Sequence, residues 1–156
     1  FNIFTPVLRT HEGNRPDDNW QFDSDQETIE HFAWASRVHF MLKDYLTECI
    51  RQNTEKGTPV MRPLFMHYED DQATYELKYQ YMLGLDVVVA PVYEEGQNIA
   101  SVYLPDDQWM YLWDEKQFAS GNYEIEAPIG RPAVFYKKDS PFASLFEKIR
   151  KKGAWK

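Results

Sequence analysis

Two strand–loop–helix units in succession open this chain, and two such units cannot make a closed fold on their own. The first apolar segment ends at Leu8 and runs into a polar loop, and the second, over residues 59–66, runs into another. A helix-forming stretch follows each loop. A parallel barrel closes only with its full set of β/α units, and an open pair would expose long unpaired strand edges. We therefore expect the chain to be the C-terminal part of a larger (β/α)8 protein.

The residues between the first loop and Gly57 have the pattern of one long amphipathic helix. Ser24 and Glu27 fit a capping box, which places the helix start at Ser24. Apolar residues recur at helical spacing from there to about Asn53. Lys56 and Gly57 supply a basic last turn and a glycine stop.

A second helix is predicted over residues 72–83, with Asp71 as its cap and Gly84 as its end. After Gly84 the pattern changes to short apolar segments separated by turn residues, which is typical of an antiparallel sandwich. These predicted strands cover residues 85–92, 99–104, 109–113, 123–128 and 133–137. Ser140 and Pro141 then fit the start of a terminal helix.

The fold class expected is therefore α/β followed by all-β. We assign residues 1–84 to the last two β/α units of a (β/α)8 barrel, and residues 85–156 to a β-sandwich with a terminal helix.

Charge and cysteine content exclude several kinds of partner and framework. The formal net charge of −8 disfavours nucleic acid and anionic membranes. No apolar run is long enough to span a bilayer, and no signal peptide is recognisable. The single cysteine, Cys49, excludes an internal disulfide and fits the reducing cytoplasm. Because Cys49 falls within a helical pattern, we expect it to be buried as a small apolar side chain.

The aromatic content of 16% is high and has two interpretations. Trp109, Tyr111 and Trp113 alternate along one predicted strand and so share one face of it. That face is either part of a large aromatic core or a platform on which sugars stack. We favour the core, because aromatic side chains are the bulkiest core formers. The platform defines the alternative function, a non-catalytic carbohydrate-binding module.

A polar cluster follows the first apolar segment, at the position where barrel strands open into an active site. Its side chains belong to Arg9, His11, Glu12, Asn14 and Arg15. The imidazole of a histidine can donate a hydrogen bond from one nitrogen and accept one at the other. Composition alone favours a solvent-exposed or core-satisfied histidine at position 11, whereas the position at a strand end makes His11, with Arg9, a candidate for substrate binding.

No metal or cofactor site is expected. The acidic pairs Asp17-Asp18 and Asp70-Asp71 stand where turn and helix caps are needed, which explains them without paired-carboxylate catalysis. His31, His39 and His67 lack metal-ligand spacing with acidic residues or cysteine. Neither a glycine-rich phosphate loop nor a serine nucleophile elbow is present.

Three segments in order give the chain a resemblance to a known family. They are Arg9-Thr10-His11 with Asn14-Arg15-Pro16, then Met61-Arg62-Pro63-Leu64-Phe65, then Leu85-Asp86-Val87-Val88-Val89-Ala90-Pro91-Val92. Together they resemble the end of a family 31 glycoside hydrolase. The fuller runs over residues 11–16 and 62–71 are most similar to the bacterial sulfoquinovosidase branch of that family.

The resemblance implies a retaining α-glycosidase, in which one carboxylate attacks the anomeric carbon and another acts as acid and then base. Both aspartates would lie upstream of this chain, so the chain holds no catalytic residue and is inactive without the upstream barrel. The implied substrate is a small α-glycoside, an α-sulfoquinovoside or otherwise an α-glucoside. His11 would bind ring hydroxyls of the sugar. Arg9 would orient a catalytic carboxylate or form a structural salt bridge.

Overall fold

A pair of helices precedes the sheet and one helix follows it. The computed structural model describes residues 2–11, 13–15 and 17–153. Helix α1 spans Gln26–Met41, α2 spans Lys43–Lys56 and α3 spans Ala143–Lys152. Short 3₁₀ helices occupy Asn2–Phe4, Leu64–Met66 and Gln72–Tyr75. None of these helices has the length and apolar composition that a membrane span requires.

The single long helix predicted before Gly57 is two helices that meet at Leu42. The cap is also displaced by one residue, because the carboxylate of Asp25 accepts the N–H of Thr28 at 2.7 Å. Ser24 caps the preceding turn instead, where its hydroxyl accepts a backbone N–H at 2.7 Å. The predicted end is confirmed, since Gly57 adopts a left-handed φ of 71° after the last turn of α2.

The apolar segment that ends at Leu8 does not form the predicted strand. Ile3 and Phe4 are buried in a 3₁₀ helix, and residues 7–10 have no regular secondary structure. A parallel strand needs hydrogen-bonded neighbours on its edges, and the described residues offer none to this segment. The segment is held by α1 instead, where Nδ1–H of His39 donates to the Ile3 carbonyl at 2.8 Å.

The predicted helix over residues 72–83 is wrong. Asp71 does cap a helical turn, since its side chain accepts the N–H of Ala73 at 3.1 Å, but that turn ends at Tyr75. Residues Tyr81–Leu83 form a strand instead. Pairing of this strand with its neighbours outweighs the local helical pattern, as tertiary context commonly does.

The sheet and a two-stranded ribbon form two layers. The strand bounds are Met61–Arg62 (β1), Tyr81–Leu83 (β2), Val87–Ala90 (β3), Ile99–Leu104 (β4), Trp109–Tyr111 (β5), Gln117–Phe118 (β6), Gly121–Glu126 (β7) and Ala133–Lys137 (β8). The antiparallel sheet has the order β1-β2-β3-β8-β5-β6, and β4 pairs with β7. The chain therefore has the β-rich architecture expected of its second half, and the sheet begins earlier than predicted.

The sheet runs across Gly84, where the predicted domain boundary falls. Strand β2 pairs antiparallel with β3 around a tight turn at Gly84, and β1 pairs antiparallel with β2. The N–H of Gly84 also donates to the Val60 carbonyl at 2.8 Å. Strands β1 and β2 thus belong to the same sheet as β3, β8, β5 and β6, and the strand predicted over residues 59–66 is not a parallel barrel strand here.

The alternating aromatic residues belong to the core, which confirms the favoured interpretation. Trp109 is fully buried, and Tyr111 and Trp113 are each less than a tenth exposed. Indole N–H groups of Trp109 and Trp113 donate to the carbonyls of Pro105 and Pro132 at 3.0 and 2.6 Å. No face of these rings is left for a sugar to stack on.

Cys49 is buried beneath Gly84, as its helical position predicted. Burial raises the pKa of its thiol to about 11, so the sulfur is a poor nucleophile at neutral pH.

Substituting Gly84→Ala should destabilise the fold strongly. A Cβ at this position would lie 2.4 Å from Cys49 Sγ and 2.5 Å from Tyr45 Oη, in a backbone with φ of +64°. We expect a loss of about 2–4 kcal/mol from overpacking and strain together. Gly96→Ala is the matched control, because Gly96 also has a positive φ, +78°, but has open space around it.

Thermal unfolding of the protein measures both variants. The expected result is a much larger fall in melting temperature for Gly84→Ala than for Gly96→Ala. Equal falls would show that only the backbone angle matters and that the contact with Tyr45 and Cys49 does not.

Candidate functional site

His11 lies in an exposed loop, residues 5–25, which we call the polar loop. Its Nδ1 accepts the backbone N–H of Gly13 at 2.9 Å, and the left-handed φ of 73° at Gly13 turns the chain back towards the ring. An amide can only donate, so Nδ1 carries no proton in this arrangement and Nε2 carries it. The loop therefore presents an N–H donor to any ligand at its surface.

Arg9 is exposed and takes part in none of the hydrogen bonds or ion pairs found among the described residues. The structural salt bridge that was one of its two expected roles is therefore not formed within the described part of the chain. Arg15 pairs weakly with Asp18 at 3.9 Å, with both side chains mostly exposed, which agrees with a role in the loop alone. Glu12 lies outside the described residues.

Side-chain hydrogen bonds hold the polar loop near both of its ends. At its start the hydroxyl of Thr5 donates to the carbonyls of Asn2 or Val7, each at 2.8 Å. At its end the indole N–H of Trp20 donates to Thr28 Oγ1 at 3.0 Å. The stretch between these hydrogen bonds carries the exposed side chains of Arg9 and His11.

A second group of polar side chains is buried or half-buried beside the sheet. We call Arg62, His67 and Lys137 the basic cluster. Arg62 is 2% exposed, and its Nε and Nη2 atoms have no hydrogen-bond partner within the described residues. The Nε2 atom of His67 is likewise buried without a partner there. Burial, together with the positive charges of Arg62 and Lys137, lowers the pKa of His67 to about 4.

Lys137 is the member of the basic cluster that has a counter-charge. Its Nζ lies 2.8 Å from Asp107 Oδ2 and 5.2 Å from the centre of the Tyr68 ring. Burial alone would lower the pKa of Lys137, but hydrogen bonds to Asp107 and Tyr68 raise it overall. The same pairing lowers the pKa of Asp107 despite its own burial. This ion pair fixes the loop between β4 and β5 to the end of β8.

The basic cluster was not recognised from the sequence. The sequence signal that could have indicated the cluster is Arg62, a charged residue within the apolar run of residues 59–66. An arginine is almost never fully buried unless it is paired. Arg62 and His67 are too enclosed to touch a substrate, so we assign them a structural role. The described residues bring together no group of three or more side chains suited to hold a metal ion.

Comparison with known proteins identifies the class to which this architecture belongs. The sequence model described as the glycosyl hydrolase family 31 C-terminal domain matches residues 57–140, which is more than half of the chain. The chain therefore belongs to glycosyl hydrolase family 31. The matched range begins just after α2 and contains the whole sheet.

Among individual proteins, the chain is 55% identical over 150 residues to the sulfoquinovosidase of Escherichia coli K12 and 45% identical over 149 residues to that of Agrobacterium fabrum. These matches cover 96% and 94% of this chain but 22% of each relative. A solved family 31 sulfoquinovosidase from E. rectale, in complex with an aza-sugar inhibitor, superposes with a TM-score of 0.95 at 44% identity, over 98% of this chain and 23% of that one. The chain thus spans about a fifth of the length of these relatives.

The burial of His67 makes the fold sensitive to acid. Its folded pKa of about 4 lies below the ordinary value of 6.5, so the unfolded chain binds more protons between these two values. Stability contributed by the neutral ring is complete above about pH 6.5 and falls as the pH decreases towards 4, by up to about 3 kcal/mol.

His67→Gln should therefore lose less stability than the unsubstituted enzyme between pH 7 and pH 4, measured as the melting temperature at each pH. Met66→Gln is the control, because Met66 is an exposed neighbour of His67 that carries no titratable group, so its substitution should leave the pH dependence unchanged. Parallel curves for His67→Gln and the unsubstituted enzyme would contradict the assignment.

Proposed function

We propose that the complete enzyme is a retaining α-glycosidase that hydrolyses α-sulfoquinovosides, and that this chain supplies its C-terminal domain and one loop of its sugar site. The observation that carries the proposal is the 55% identity to a sulfoquinovosidase over 96% of the chain. A match of that extent includes the polar loop as well as the sheet. Family membership alone supports the broader class of α-glycoside hydrolysis.

His11 is the residue proposed to bind the sugar. Its Nδ1 is occupied by the Gly13 N–H, which leaves Nε2–H as a donor of fixed identity. A donor fixed towards a ring hydroxyl would hold the sugar in the geometry that the oxocarbenium-like transition state requires. The exposure of His11 fits a side chain whose partner is a ligand or the upstream part of the enzyme.

Arg9 is proposed to act one step further from the sugar. Its guanidinium is unpaired among the described residues, and a charge-assisted hydrogen bond to an upstream carboxylate would orient that carboxylate. The nucleophile and the acid–base residue are proposed to lie upstream, so this chain by itself would have no activity.

We also propose that the catalytic barrel ends near Gly57 rather than at Gly84. Support comes from the sheet that runs across Gly84 and from the family match that begins at residue 57. On this division residues 1–56 close the barrel. Large apolar side chains exposed along them, Trp20 and Phe40 among them, would then be covered by the rest of the barrel.

The alternative function, a non-catalytic carbohydrate-binding module, loses its proposed platform because Trp109, Tyr111 and Trp113 are buried.

His11→Ala in the complete enzyme should lower kcat/KM for an α-sulfoquinovoside by about 100-fold or more, because the hydrogen bond that positions the sugar for the transition state is removed. Asp18→Asn is the control, since it disturbs only the exposed pair with Arg15 in the same loop and should leave kcat/KM within about twofold. An unchanged kcat/KM for His11→Ala would exclude the proposed role.

Hydrogen exchange in the complete enzyme tests the domain division. If the sheet unfolds as one cooperative unit, amides of Tyr81–Leu83 should exchange together with those of Val87–Ala90 as denaturant is added. If the boundary lies at Gly84, amides of Tyr81–Leu83 should instead exchange with those of α2. The second result would restore the division predicted from the sequence.

A further inference from the structure

A polar groove with an aromatic wall lies at one end of the β2–β3 hairpin. We call it the Tyr79–Tyr93 groove, and its volume is about 670 Å³. Residues 76–80, 90–93, 96–101 and Glu124 line it. No described residue of the polar loop is among these lining residues, and neither is any member of the basic cluster. Nothing in the proposed hydrolysis of a glycoside uses this surface.

The aromatic wall is a consequence of the hairpin register. Tyr81 pairs with Val89, so the same register continued beyond the strand ends places Tyr79 opposite Pro91. Tyr93 is then the diagonal neighbour of Tyr79, at a spacing within reach of aromatic side chains. The two ring centroids lie 4.0 Å apart with 35° between the ring planes. The rings therefore support each other and are held as one unit.

Both tyrosines remain open to solvent although they are paired. Tyr79 is 54% exposed and Tyr93 is 60% exposed. Among the described residues, neither phenol oxygen takes part in a hydrogen bond. Aromatic rings that are rigid, exposed and free at the hydroxyl combine an apolar face with a polar edge. The C–H face of a pyranose ring can pack on such a face while its hydroxyls reach the edge.

The floor beside the aromatic wall is fixed and rich in hydrogen-bonding groups. The amide oxygen of Gln80 accepts the N–H of Tyr103 at 2.9 Å, and its nitrogen donates to the carbonyl of the same residue. The hydroxyl of Ser101 donates to Glu124 Oε1 at 2.7 Å. Asn98 adds a side-chain amide to the lining. Preformed donors and acceptors next to an apolar wall are what fix the orientation of a small polar ligand.

The charge of the groove selects among sugars. Glu76 and Glu124 line it, and Lys78 is the one basic residue among the lining residues. The whole chain also carries a net charge of −8. A sulfonated sugar would meet like charge here, whereas a neutral sugar would not.

The groove also differs from the surface expected to be covered by protein. A neighbouring groove of about 330 Å³ is lined largely by apolar residues, including Phe4, Trp34 and Ile129. The Tyr79–Tyr93 groove has carboxylates, amides and a hydroxyl among its lining groups. Covering those groups with another part of the enzyme would leave them without water.

We propose that the Tyr79–Tyr93 groove binds neutral pyranosides. The inference stands on the groove alone and does not depend on the substrate proposed for the complete enzyme. A surface of this kind would hold a neutral glycan, or the neutral portion of a larger glycoside, against the C-terminal domain.

Calorimetric titration of the complete enzyme with maltotriose tests the proposal. The unsubstituted enzyme and the His11→Ala variant should bind maltotriose alike, because His11 does not line the groove. Tyr93→Ala should weaken binding by about tenfold, since it removes half of the aromatic wall. Tyr75→Ala is the matched control, because Tyr75 is also exposed and stacks on Phe65 at 4.9 Å but lies outside the groove.

The kcat/KM for a small α-sulfoquinovoside should be unchanged in Tyr93→Ala, which separates this test from that of the active site. Three results would overturn the proposal. They are no binding of maltotriose by the unsubstituted enzyme, equal binding by Tyr93→Ala, and a larger fall in melting temperature for Tyr93→Ala than for Tyr75→Ala. The last would show that the groove is covered by another part of the enzyme.

Discussion

The hydroxyl of Tyr45 connects the helical half of this chain to its sheet. It donates to the Leu83 carbonyl at 2.6 Å and accepts the N–H of Asp86 at 3.0 Å, so one side chain of α2 satisfies backbone groups on both sides of the turn between β2 and β3. Burial raises the pKa of this phenol well above its ordinary value, which keeps the hydroxyl protonated and able to donate. The close approach requires a residue without a side chain at Gly84. The position of α2, the turn and the first three strands are therefore set together.

This connection limits how far two domains that meet near Gly84 could move relative to each other. If α2 belongs to the barrel and the sheet belongs to the C-terminal domain, the Tyr45 hydroxyl is an interdomain contact that is fully buried. Leaving the Leu83 carbonyl or the Asp86 N–H without a partner in such a place would cost about 1–3 kcal/mol. The basic cluster adds a second constraint on the junction. The guanidinium of Arg62 is buried, so solvent cannot replace the protein that surrounds it. Both features favour a rigid junction over a flexible one between barrel and sheet.

The sequence predicted those parts of the fold that depend on local chemistry. The glycine stop after α2, the cap at Asp71 and the burial of Trp109 follow from φ preferences, side-chain acceptors and residue size, which act over a few residues.

The errors concern segments whose structure depends on distant partners. The pattern of residues 72–83 predicts that Tyr81–Leu83 end a helix. A short stretch of sequence does not show that these residues pair with β3. Leu8 reads as the end of a barrel strand, but no described strand lies beside it. At the site, His11 was predicted from its loop and the family resemblance and stays a prediction, while the burial of Arg62 and the Tyr79–Tyr93 pair arise from packing that no motif expresses.

The arrangement of the polar loop supports the proposal that His11 serves a sugar site whose other parts lie upstream. Its anchors at Thr5 and Trp20 tie both ends to neighbouring structure, while the Gly13 N–H orients the imidazole from within the loop. The tautomer is thus set by this chain alone and needs no upstream residue. A donor prepared in this way loses little further freedom when a sugar binds, which is the condition under which a hydrogen bond contributes most to the transition state. On the proposed division the loop belongs to the barrel, and it would supply the proposed sugar site with a donor whose tautomer is set within the loop.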